Sequence, residues 1–93
     1  LTSIGDSAFY GCKTISEMKI PDATIDIGKY AFYNCESLTR VFIPDSVDYI
    51  GGYAFYNSPL LKVYCKSYNN KPNWDKLWCL NIPVRYNCSD WEI

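Results

Sequence analysis

Hydrophobic residues recur along this chain with a period of 23 positions. Each copy opens with Ile-Gly, continues with Ala-Phe-Tyr and a small residue, and closes on hydrophobic residues that alternate with polar ones. The equivalent residues are Ile4, Ile27 and Ile50; Gly5, Gly28 and Gly51; Ala8, Ala31 and Ala54; Phe9, Phe32 and Phe55; Tyr10, Tyr33 and Tyr56; and Cys12, Cys35 and Ser58. A fixed period of about 20–50 residues is typical of stacked arrays, so each copy is expected to form one coil.

The pattern within a coil predicts two kinds of segment. Leu38–Pro44 alternates and is rich in Val, Phe and Ile, which indicates a strand, and Pro44 ends it because proline lacks an N–H. Gly28–Cys35 shows no alternation, so we expect a helical turn or short helix there. A second short strand is predicted over Val47–Ile50.

Stacking of the coils explains why the aromatic residues repeat. A single coil cannot bury its apolar face, whereas stacked coils bury a continuous core. We therefore expect Phe9, Phe32 and Phe55 to lie one above the next as a spine. The repeated letters are interpreted as a packing pattern and not as a catalytic motif.

The chain is expected to be one domain, with about three coils over residues 1–64 and a closing segment over 65–93. In the closing segment, Trp74 and Trp78 have helical spacing after Asn73, which is a suitable N-cap, and Ile82–Tyr86 predicts a last strand. The first residues already lie inside a repeat. The sequence thus predicts further coils upstream, and self-association through the uncapped N-terminal edge.

Composition narrows the possible functions. The net charge of −1 and the pI of about 5.2 give no attraction to nucleic acid or to an anionic membrane, and no apolar run is long enough to span a bilayer. The chain has five Cys and no His, which disfavours a metal site and removes the commonest general base. We therefore expect no cofactor and no enzymatic activity.

The repeat resembles a known family. It contains the pattern Ile27-Gly28, Ala31-Phe32, Cys35, Leu38, Val41 and Ile43-Pro44, which is similar to the BspA-like, or Treponema-type, leucine-rich repeats of bacterial surface proteins. The similarity covers residues 1 to about 65, and the tail resembles the closing segment of such arrays. It implies a right-handed α/β leucine-rich-repeat solenoid, an extracellular or cell-surface localisation, and binding rather than catalysis.

Alternation in the strands predicts an outward face. Stacking should place Glu17, Arg40 and Lys62 in one column and Lys19, Phe42 and Tyr64 in another. The candidate partner-binding residues are Lys19, Arg40, Phe42, Lys62 and Tyr64, with the two aromatic residues as anchors. The alternative is ordinary strand propensity on a surface with scattered apolar residues.

Tyrosines and cysteines provide two further candidate features. The column of Tyr10, Tyr33 and Tyr56 either covers the core or forms a strip that holds a glycan or a protein, and Tyr30, Tyr49 and Tyr53 would widen that strip. Cys12 and Cys35 have side chains that point the same way, which suits stacked thiols better than a bridge. A disulfide between Cys79 and Cys88 is the pairing considered for the closing segment.

Three functional hypotheses follow. The first is a secreted or cell-surface module for protein–protein interaction or adhesion, engaging a host matrix protein or a neighbouring cell. The second is a purely structural segment that closes a longer surface stalk. The third is a glycan-binding surface made of the stacked tyrosines.

Overall fold

The computed structural model describes residues 3–67, 70–79 and 82–89. In this part of the chain, short parallel strands form two sheets that share a solenoid of about three turns. The strands are β1 (Ser3–Ile4), β2 (Glu17–Lys19), β3 (Asp26–Ile27), β4 (Arg40–Ile43), β5 (Tyr49–Ile50), β6 (Lys62–Cys65) and β7 (Val84–Arg85). One sheet has the order β1-β3-β5 and the other β2-β4-β6-β7.

The strand register follows the sequence repeat. Ile4 pairs with Ile27, and Ile27 pairs with Ile50, each one period along the chain. In the larger sheet Arg40 pairs with Lys62, only 22 positions along the chain, because the loop before β6 is one residue shorter than the corresponding loop of the preceding copy. The predicted strands at Leu38–Pro44 and Val47–Ile50 are thus confirmed, although each is shorter than expected.

The segment after each Ile-Gly is not a helix, and the expectation of a helical turn over Gly28–Cys35 is wrong. Its N–H groups alternate between a carbonyl three residues earlier and a carbonyl of the next coil. Ala31 and Tyr33 donate to the Gly28 and Tyr30 carbonyls, while Tyr30, Phe32 and Asn34 donate to Gly52, Ala54 and Tyr56 of the next coil. Because every second N–H bonds the next coil, the continuous i to i−4 hydrogen bonds of a helix are not formed.

The core contains the predicted aromatic spine. Phe9, Phe32 and Phe55 stack with 5.1 Å between successive ring centroids and with planes 9° and 4° apart. Phe32 and Phe55 are fully buried, among Ile, Leu and Val residues that the strands direct inward. The side-by-side stacking of like residues is therefore confirmed.

The closing segment continues the solenoid, and its described residues contain no helix. Trp74 bridges in parallel to Ile50, and Trp78 lies in the following turn, where it contacts Phe55 edge to face at 6.1 Å. The predicted helical turn is wrong because the Asn73 amide donates to the Asp48 carboxylate at 3.1 Å and does not cap a helix. Trp78 instead takes the next place in the Phe spine, 23 residues after Phe55. The strand expected in Ile82–Tyr86 is present as β7.

Candidate binding surfaces

The outer face of the four-stranded sheet carries the columns that the sequence predicts. Glu17 pairs with Arg40, and Arg40 with Lys62. Lys19 pairs with Phe42, and Phe42 with Tyr64. Because β7 joins the sheet, Arg85 extends the second column beyond Tyr64. Arg85 was missed from the sequence, although its place in the predicted last strand was the signal that could have found it.

Phe42 and Tyr64 are less exposed than an anchor for a partner requires. They point away from the main core, as alternation predicts, but each retains only 7% of its accessible surface. With Cys88 they form a second small hydrophobic cluster. The Cys88 N–H donates to the Cys65 carbonyl at 3.0 Å, which brings the closing segment against β6. The expectation of an exposed aromatic pair is therefore wrong.

Basic residues dominate this face. The four strands of the sheet contain four basic residues and one acidic residue, namely Lys19, Arg40, Lys62 and Arg85 against Glu17. The Arg40 Nε donates to Glu17 Oε2 at 2.8 Å, which holds the guanidinium in place. At one edge, Lys19, Phe42 and Lys66 help to line a depression of about 380 Å³. The sheet therefore has a basic surface on a protein whose net charge is −1.

A second surface consists of tyrosines in the turn segments. Tyr10 and Tyr33 stack at 4.9 Å, Tyr33 and Tyr56 at 5.6 Å, and Tyr30 and Tyr53 at 5.9 Å. Within each coil the two rings meet edge to face, Tyr30 with Tyr33 at 5.5 Å and Tyr53 with Tyr56 at 5.3 Å. A shallow depression of about 210 Å³ is lined by Tyr30, Tyr33, Tyr53 and Tyr56. Tyr49 lies apart from it, in β5.

The backbone under this surface is unusual. Tyr30 and Tyr53 have φ of 57° and 56°, in the left-handed region that bulky residues rarely adopt. Such a conformation costs about 1–3 kcal/mol per residue. The following left-handed positions carry Asn34 and Asn57, which tolerate it well.

All five cysteines are free thiols. The Cys35 Sγ donates to the Phe9 carbonyl at 3.2 Å, and the Ser58 hydroxyl donates to the Phe32 carbonyl at 3.2 Å. One small donor per coil therefore serves the carbonyl of the preceding Phe, which explains why Ser replaces Cys. Burial, with smaller contributions from the neighbouring Cys79 and Cys88, raises the pKa of the Cys65 thiol to about 12.

The considered Cys79–Cys88 disulfide is absent. Cys79 packs against the main core, whereas Cys88 belongs to the outer cluster on the other side of the sheet. The Cys88 thiol contacts the carbonyls of Arg85 and Tyr86. Among the described residues, no group of three or more His, Cys, Asp or Glu is arranged to hold a metal ion. In the same residues no helix is long and apolar enough to cross a bilayer.

Comparison with known proteins identifies the family of the repeat. The family model of the BspA type leucine-rich repeat region, which comprises six copies, matches residues 1–74. The chain belongs to this family. No curated protein and no solved structure matches it. Membership supports a repeat module suited to protein interaction, and it assigns no partner.

Proposed function

We propose that this leucine-rich repeat chain is a non-catalytic module that binds a protein partner through the outer face of its four-stranded sheet. The observation that carries the proposal is the charge of that face, four basic residues and one acidic residue on strands in fixed register. Complementary charge speeds association and selects partners. The partner is therefore a protein with an acidic surface patch.

The contact residues are Lys19, Arg40, Lys62 and Arg85. Phe42 and Tyr64 lie between them on the same face and are nearly buried, because they pack in a cluster with Cys88 of the closing segment. Their small exposed area makes them secondary contacts. Membership of the family, together with the sequence resemblance to bacterial surface repeats, supports an extracellular or cell-surface setting and a role in adhesion.

Charge reversal tests this proposal. The variant K62E/R85E is compared with K13E/K76E, which makes the same change in net charge at exposed lysines outside the four-stranded sheet. Each is titrated against a panel of purified matrix and cell-surface proteins at low and high salt. We expect K62E/R85E to lose binding, K13E/K76E to keep it, and the wild-type affinity to fall as salt rises.

Two results would contradict the proposal. If both variants weaken binding equally, net charge and not the sheet face attracts the partner. If the wild type binds no panel member, the result favours the structural alternative, in which this segment only extends and closes a longer surface protein.

A further inference from the structure

The tyrosine surface is separate from the basic sheet face and has its own chemistry. The depression is lined by four tyrosines, two from the second coil and two from the third. Each of these two coils contributes two rings, which meet edge to face. The angle between the ring planes is 74° for Tyr30 and Tyr33 and 71° for Tyr53 and Tyr56. The same pair of rings is thus presented twice, about one rung apart.

Asparagines stand beside these rings. Asn34 follows Tyr33 and Asn57 follows Tyr56, and the Asn57 amide donates to Asn34 Oδ1 at 2.9 Å. This bond uses one N–H of Asn57 and the oxygen of Asn34. An amide side chain has two N–H donors and one oxygen acceptor, so further donors and an acceptor remain for hydroxyl groups of a ligand.

Two of the four residues that line the depression, Tyr30 and Tyr53, have a left-handed backbone. At the left-handed positions 11, 34 and 57 the chain has Gly or Asn, the residues that suit this conformation. At 30 and 53 it has Tyr, where Asn or Gly would remove the strain. Backbone strain of this kind concentrates at functional sites. The equivalent Ser7 has a φ of 58°, so the conformation belongs to the coil, and the choice of Tyr at 30 and 53 is what departs from residue preference and points to a use for the rings.

We propose that this surface binds a carbohydrate, with pyranose rings packed against the tyrosines and their hydroxyl groups bonded to the tyrosine hydroxyls and, beyond Tyr56, to the Asn57 amide, which lines the adjoining depression. A pyranose has apolar C–H groups on its faces and hydroxyls around its edge. The depression matches both, since each of its four phenol rings supplies apolar area and a hydroxyl that forms hydrogen bonds. Two ring pairs one rung apart suit consecutive sugars of an extended oligosaccharide.

The test uses Y30N/Y53N, which removes both rings and places a residue that favours the left-handed backbone. Tyr10→Ser is the matched control, because Tyr10 belongs to the same stack as Tyr33 but does not line the depression. Wild type and variants are titrated calorimetrically with cellohexaose, chitohexaose and maltohexaose, and thermal unfolding is followed for each. Choline chloride serves as a probe for an aromatic site that binds cations instead.

Saturable binding of one oligosaccharide, weakened about ten-fold or more by Y30N/Y53N but not by Tyr10→Ser, would support the site. Folded Y30N/Y53N that still binds the sugar would overturn it. So would wild-type protein that binds none of the three, or that binds choline and no sugar. These results are independent of the basic face, which K62E/R85E probes separately.

Discussion

The first and last described coils differ in how completely their aromatic residues are covered. At the C-terminal end Trp78 is fully buried and Trp74 is 4% exposed; Trp78 contacts the Phe55 ring, and Trp74 contacts Trp78. At the N-terminal end Phe9 stacks on Phe32 but is only partly buried. Phe32, the equivalent residue one coil later, is fully buried. A residue in this fold is therefore as buried as its neighbouring coil makes it.

The largest contrast should appear when the aromatic residue at each end is truncated. Trp78→Ala removes a fully buried ring, so we expect a loss of about 3–5 kcal/mol in the free energy of unfolding. Phe9→Ala removes a partly exposed ring that contacts one neighbour in the spine, and we expect less than half of that loss. Urea denaturation measures both. Equal losses would show that the N-terminal end is as tightly packed as the C-terminal one.

Gly5 and Gly28 occupy the same repeat position but differ in the space around them. A Cβ at Gly28 would lie 2.5 Å from the Asp6 N and 2.7 Å from the Gly5 carbonyl carbon, whereas a Cβ at Gly5 meets nothing within 4 Å. Gly28→Ala should therefore push the first two coils apart and cost about 1–3 kcal/mol or more. Gly5→Ala should leave the stability nearly unchanged. Thermal unfolding of the two variants checks this, and a neutral Gly28→Ala would mean that the coils separate easily.

The sequence was sufficient for the stacking because the evidence is internal to the chain. Three copies with the same spacing predict which residues share a column, and the Phe rings and strand pairs follow. The signal ends where the repeat ends. Nothing periodic marks Cys88 as a neighbour of Phe42 and Tyr64, so alternation alone predicted an exposed aromatic pair.

The backbone of the turn segment could not be predicted from residue types either. Small and aromatic residues without alternation are compatible with a short helix. The alternative, in which every second N–H bonds the next coil, depends on a neighbour 23 residues away. The left-handed conformation of Tyr30 and Tyr53 contradicts residue preference and has no sequence signal.

Thiol reactivity should follow the same difference between ends. Hydrogen bonds from the Thr14 backbone and hydroxyl lower the pKa of Cys12, whereas burial raises the pKa of Cys35, its equivalent one coil later. The thiolate is the reactive form, so as pH rises Cys12 gains it first. We expect iodoacetamide near neutral pH to label Cys12 more than ten-fold faster than Cys35, as read by peptide mass spectrometry.

Two controls isolate the cause of that rate difference. In denatured protein the two thiols should react at similar rates. Thr14→Ala should slow labelling of Cys12 without affecting Cys35. Rapid labelling of Cys35 in the folded protein would show that the first two coils open readily.

The smallest effect is expected from the ion pair that joins the first two coils. Glu17 lies on the edge strand β2 and accepts from Arg40 at 2.8 Å, but its side chain is 43% exposed. Half-exposed pairs of this kind contribute about 0.2–1 kcal/mol and weaken with salt. Glu17→Gln should therefore reduce the stability slightly at low salt and hardly at all at high salt, as measured by urea denaturation.

Glu36→Gln provides the matched control, since Glu36 meets Lys13 across the same two coils at 3.9 Å with both side chains more exposed. Its effect should be smaller still. A large and salt-independent loss for Glu17→Gln would mean that charge, and not apolar stacking with the strand ladder, holds the first coil. The two ends would then differ in the kind of interaction that secures them, and not only in how much surface is covered.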